Sequence, residues 1–294
     1  MLFYTSMTST NMQSCIDYLI LNYIFMNTTF GVIAFIFYLL AATRLGMLML
    51  ADEDVPQNNA KIQAFVGGAI ALILNGVVLN SVIFVNEGLD LGFSNAWALI
   101  SWVIALLVLF IALRKPVENL LVIFFPMAAL GLILIHLSPS HHIVAETAPM
   151  GLKVHILLSI IAYSLLTVAA FQAMLLAFQE HQLRNKQPTV IMNVLPPMQI
   201  MEDLLIRIIA VGFFILSLSL ATGFMFIHDI FTQHLSHKTV LSLLSWLVFA
   251  VLLWGRWYQG WRGQKLIRWT LGGFCMLVLA FFGSKLVLEI LGRV

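Results

Sequence analysis

Apolar runs of about 20 residues recur along this 294-residue chain, at roughly 29 to 50, 62 to 84, 95 to 113, 120 to 137, 151 to 178, 204 to 227, 239 to 257 and 269 to 290. Crossing a hydrocarbon layer about 30 Å thick takes roughly 20 such residues in a helix. Lipid cannot satisfy a bare backbone, so it admits only helices and closed barrels. These runs are continuous and lack the alternation of barrel strands. With 61% hydrophobic and 10% charged residues, the chain is expected to be an all-α, polytopic membrane protein. The expected architecture is one bundle of about eight transmembrane helices, forming a single membrane domain over 29–294. Residues 1–28 hold no Lys or Arg, so they lack the basic start of a secretory signal. Their IDYLILNYIF stretch is read either as an interfacial segment or as an over-long gene start whose natural beginning is Met26.

The breaks between runs are turn-rich or charged, among them ADEDVPQNNAK, RKPVEN, SPSHHIVAETAP and HDIFTQHLSHK. Eleven of the 15 Lys and Arg residues (Arg44, Lys61, Arg114, Lys115, Arg184, Lys186, Arg207, Arg256, Arg262, Lys265 and Arg268) fall on one side. Lys153, Lys238, Lys285 and Arg293 fall on the other. The positive-inside bias of short loops then places both termini outward, on the periplasmic side of a Gram-negative inner membrane. Asp203 and Arg207, one helical turn apart at the inner end of the sixth run, are expected to form an ion pair.

This topology sorts the histidines unevenly. His136, His141, His142, His155, His228, His234 and His237 fall at or near the outer surface, and only His181 falls inside. A net charge of +2 gives no nucleic-acid surface. Cys15 and Cys275 lie far apart with no CxxC pair, and no HExxH is present. Thiol exchange, thiolate metal sites and zinc hydrolase chemistry are therefore poorly supported. Imidazoles at helix ends in an apolar, aromatic setting suit the axial positions of a haem iron.

The fifth run, GLKVHILLSIIAYSLLT, carries a polar stripe at His155, Ser159, Tyr163 and Thr167. Residues four apart share a helix face, and in a bilayer that face should meet protein rather than lipid. His155 and His228 stand at the outer ends of consecutive spans, so two neighbouring helix ends could present two imidazoles to one iron. Ser217, Ala221 and Phe224 share the helical face of His228, a wall suited either to a porphyrin edge or to ordinary helix packing. The cofactor-binding candidates are thus His155 and His228. His141, His142, His234, His237, Tyr163 and Lys238 follow as secondary ones. A bis-imidazole site weakens as falling pH protonates its ligands.

From about residue 90 to 290 the chain resembles the cytochrome c assembly, haem-handling membrane family of the CcsA and CcmC type, and is most similar to its shorter YpjD-like branch. The resemblance is carried by MEDLLIRIIAVGFFILSLSLATG with Asp203, Arg207, Gly212, Phe213 and Gly223, then by Lys238 and Trp246. GWRG at residues 260–263 and FFG at 281–283 follow. Upstream, LDLGFSNAWALISW and the histidine-led VHILLSIIAYSLL are similar to family segments. The resemblance implies a bacterial inner-membrane protein of cytochrome c-type biogenesis that carries haem at the outer face, with His155 as the first flanking histidine. It also implies haem as cofactor or cargo, and other cytochrome assembly proteins beside the lipid bilayer as partners. The sequence departs from the pattern in three places, one being that no histidine follows the last span. HDIFTQHLSHK, which holds no Trp, replaces the family's Trp-rich loop, and Trp254 stands at or near the position of a later histidine.

The expected chemistry is binding and positioning rather than catalysis. A second expectation keeps the fold without the haem site, as a membrane assembly partner or regulator. A third, a transporter using Asn75, Asn80 and the Ser lines, has no mid-membrane charge to support it.

Overall fold

The computed structural model describes residues 2–50, 57–85, 88–115, 117–137, 143–145, 147–185, 196–226 and 236–280, with side chains from Met26 onward except those of Gln57, Val85, 143–145, Phe226 and 236–238. Eight helices fill most of these: α1 Leu2–Leu50, α2 Gln57–Ile83, α3 Phe93–Ala112, α4 Glu118–Leu137, α5 Met150–Arg184, α6 Met198–Phe226, α7 Ser236–Gln259 and α8 Gln264–Val278. The first seven contain a stretch long and apolar enough to cross a membrane, so the chain is a multi-pass membrane protein. The expected eighth span coincides with α8. Its 15 residues rise only about 22 Å, and the expected remainder lies beyond Ala280, outside the described residues. At the other end one helix runs from Leu2 through the first span.

Helix α1 packs on α2 and α4, and α3 packs on α4 and α2. Helix α5 bridges to the second half, meeting α3, α6 and α8, while α7 packs on α6 and α8. The sequence of α5 explains its central place. Ala162, Leu166, Val168, Ala169, Ala170, Ala173 and Leu176 are all essentially inaccessible, and small side chains let neighbouring backbones approach in the absence of a hydrophobic force between helices. The same device joins α3 to α4. A Cβ on Gly131 would stand 3.0 Å from the Ala98 Cα and 2.9 Å from the Ser101 Oγ.

Several polar side chains are paired across helices. Asn75 of α2 donates to the Tyr38 hydroxyl of α1 (3.2 Å), the interhelical role expected of an intramembrane amide. Trp102 of α3 donates to the Leu72 carbonyl (2.8 Å), and Lys61 pairs with Glu118.

A small antiparallel sheet caps one end of the bundle. Strands β1 Phe84–Val85, β2 Gly88–Asp90 and β3 Ile143–Ala145 run in that spatial order, with Leu89 opposite both Phe84 and Val144. Asp90 then starts the entry to α3. Its carboxylate accepts from the Gly92 N–H (3.1 Å) and its carbonyl from Asn95 Nδ2 (3.3 Å).

Candidate functional site

The polar stripe of α5 faces protein, as its spacing predicts. His155 lies in the second turn of α5 and meets α6, where its Nδ1 is 2.7 Å from the Ser219 carbonyl oxygen. A carbonyl only accepts, so Nδ1 carries the proton and the lone pair is left on Nε2. Among the described residues Nε2 has no hydrogen-bond partner. The ring fits because of a glycine: a Cβ on Gly223, one turn beyond Ser219, would lie 3.0 Å from His155 Cε1 and 3.2 Å from Nδ1.

Deeper along the same face, the Ser159 hydroxyl lies 2.8 Å from that of Ser219 and also donates to the carbonyl of His155 (2.8 Å). Tyr163 reaches across to Ser242 of α7. Thr167 turns back onto its own helix and donates to the Tyr163 carbonyl (2.7 Å). Trp246 of α7 donates to Ser217 of α6 (2.8 Å) and stacks on Phe213 with ring centroids 5.4 Å apart. The contacts of His155, Ser159 and Tyr163 form a hydrogen-bonded seam along α5 that meets α6 at Ser219 and α7 at Ser242, with the imidazole at its end, while the Trp246–Ser217 bond ties α6 to α7 on a different face of α6. Ser219, Gly223 and Ser242, which seat and extend the stripe, escape a reading of single helices because their role exists only opposite α5.

The other sequence-predicted residues divide in two groups. His141, His142, His228 and His234 lie outside the described residues. The backbones of His237 and Lys238 belong to the first turn of α7, and their side chains lie outside the description. The wall proposed for a porphyrin edge is not in the seam with His155. At 100° per residue, Ser217, Ala221 and Phe224 stand on the opposite side of α6 from Ser219 and Gly223, and Phe224 is 56% exposed. Trp254, at the position of a family histidine, is also half exposed and packs beside Tyr258 at 5.9 Å. Among the described residues no three His, Cys, Asp or Glu side chains gather as a metal site.

At the far end of α6 the expected Asp203–Arg207 pair is replaced. Arg256 of α7 donates to Asp203 Oδ1 (3.0 Å) and to the Trp261 carbonyl (3.1 Å), and stands 3.9 Å from the Glu202 carboxylate. Arg207 is exposed instead. The interhelical guanidinium wins because it engages three acceptors at once. Glu202 also accepts from the Gly263 N–H (2.8 Å), fixing the turn between α7 and α8 where Gly263 has φ +55°.

Known proteins share much of this sequence. A family model described as Cytochrome C assembly protein matches residues 63–292. The chain belongs to the cytochrome c assembly protein family. It is 33% identical over 230 residues to the inner membrane protein YpjD of Escherichia coli strain K12, covering 78% of this chain and 87% of that protein. It is 32% identical over 142 residues to a 28.8 kDa uncharacterized protein of Azospirillum brasilense, covering 48% of this chain and 52% of that one. The cytochrome c biogenesis protein CcsA of Trichodesmium erythraeum is 30% identical over 91 residues, 30% of this chain and 26% of CcsA. Membership of this family links the chain to cytochrome c biogenesis.

Proposed function

We propose that this protein holds haem near the outer face of the bacterial inner membrane during cytochrome c-type assembly, as a binding and positioning protein rather than an enzyme, with His155 as one axial ligand. The observation that carries this reading is the state of the imidazole. Metal-ligating histidines ordinarily give their second ring N–H to a carbonyl or carboxylate, which sets the tautomer and orients the ring. His155 does so toward Ser219 and keeps Nε2 unpartnered among the described residues. Haem, when bound, would supply an iron able to take this nitrogen and a second axial donor. That second donor is assigned to the outer segment between α6 and α7, first to His228, then to His234 or His237, with His141 and His142 as the alternatives from the loop before β3. Lys153 and Lys238 would face the propionates, and Tyr163 acts through the seam. The partners on this reading are the bilayer, haem and other assembly proteins.

The test is the oxidised and reduced absorption spectrum of the purified protein beside His155→Ala and His228→Ala. A low-spin spectrum in the wild type that is lost or becomes high-spin in both variants is expected. A wild type that takes up no haem even after reconstitution overturns the proposal. A second reading, a non-haem assembly partner of the same fold, draws on the Trp-free outer segment and on Trp254 facing outward where the family places a histidine. It predicts that ordinary membrane insertion and partner association survive His155→Ala.

A further inference from the structure

A cleft of about 210 Å³ opens at the opposite end of the bundle from His155, between the α3–α4 turn, α5 and the first turns of α6. Lys115 and Arg207 line it, and neither has a side-chain partner among the described residues. Asp203 also lines it, but its carboxylate already accepts from Arg256 (3.0 Å), so the cleft keeps a positive balance. The N-terminal ends of α4 and α6 both lie at this cleft, adding positive dipole ends. Two amides complete the lining. Among the described residues Asn119 Nδ2 is a buried donor without a partner, and Gln172, only 1% exposed, holds a buried Oε1 without a partner. Buried amide atoms are normally satisfied, and each exception asks for an explanation.

We infer that this cleft, framed by Lys115, Arg207, Asn119 and Gln172, binds the phosphodiester headgroup of an anionic phospholipid. The cations and the Asn119 N–H would take the phosphate oxygens. The Gln172 oxygen requires a donor from the same ligand, which a glycerol hydroxyl of phosphatidylglycerol supplies. The volume is below the roughly 300–1,000 Å³ of sites for drug-sized ligands, so it suits a headgroup and excludes a macrocycle. The basic end carries most of the chain's Lys and Arg residues and so meets the leaflet boundary where basic pockets between spans take anionic headgroups.

The inference is tested on the full chain in detergent by thermal unfolding and by native mass spectrometry. The additions are phosphatidylglycerol, phosphatidylcholine of the same acyl chains, or inorganic phosphate. Phosphatidylglycerol is expected to raise the unfolding temperature and to remain bound, and the double variant Lys115→Gln, Arg207→Gln to bind it about tenfold or more weakly. Both positions are exposed, so the variant retains its packing. Gln172→Leu serves as an independent check, with weaker retention of phosphatidylglycerol at unchanged phosphatidylcholine retention. Equal effects of the two lipids, or an unchanged phosphatidylglycerol effect in the double variant, overturn the site. Equal protection by inorganic phosphate alone overturns its assignment to a lipid.

Discussion

A single imidazole lodged against a glycine makes the outer end of α5 sensitive to very small changes. Because a Cβ at position 223 already meets the ring at 3.0 Å, Gly223→Val must turn or expel His155. The expected outcome is loss of any low-spin haem spectrum from protein that still inserts and purifies as the wild type does. Ser219→Ala is expected to be mild. It keeps the backbone carbonyl that holds Nδ1 at 2.7 Å and removes a hydroxyl that pairs with Ser159 (2.8 Å) and stands 3.4 Å from the same Nδ1. Interhelical hydrogen bonds in membrane proteins average about 0.6 kcal/mol, so thermal unfolding in detergent should fall slightly while the spectrum is retained.

Contacts between elements are less forgiving where backbones touch. Gly131→Ala would press α4 onto the Ala98 backbone of α3 rather than onto a movable side-chain tip. A loss of about 1–3 kcal/mol is expected from such overpacking, measurable as a lower unfolding temperature. The ion cluster joining α6, α7 and the turn into α8 gives a contrasting pair of variants. Arg256→Met strands the buried Glu202 carboxylate and should cost about 3–5 kcal/mol. Asp203→Ala removes a largely exposed partner (64%) and should cost no more than about 1 kcal/mol. Similar losses in both variants would mean that Glu202 is not the group that needs the guanidinium.

For the whole molecule, orientation is the property to measure. The bias of eleven cations against four predicts that a cysteine at Arg184, in a background lacking Cys15 and Cys275, reacts with a membrane-impermeant thiol reagent only from the cytoplasmic side. A cysteine at Thr147, at the other end of α5, should react only from outside. The reverse pattern would move His155 to the cytoplasmic face and the lipid cleft to the periplasmic one. The spans, seven of which are long and apolar enough among the described residues, and the all-α class are legible in the chain alone because a hydrocarbon solvent demands long apolar runs whatever their neighbours are. The stripe at His155, Ser159 and Tyr163 is legible for the same reason, since a polar line in lipid must turn inward. Its partners are not legible. Ser219 and Ser242 look like ordinary small residues of apolar helices, and Gly223 stands out only through the family resemblance and not by its role, until the rotation of α6 and α7 about their axes sets them opposite α5. Arg256 displaces Arg207 from Asp203 in the same way, because helix spacing determines which groups on one element can meet, while only packing determines which charge arrives from another. Periodicity thus assigned this protein its solvent, its class and the inward face of its fifth span. Tertiary structure alone decided which carbonyl orients the histidine and which cations at the far end lack a partner among the described residues, because both depend on how far apart separate helices stand and how each is turned.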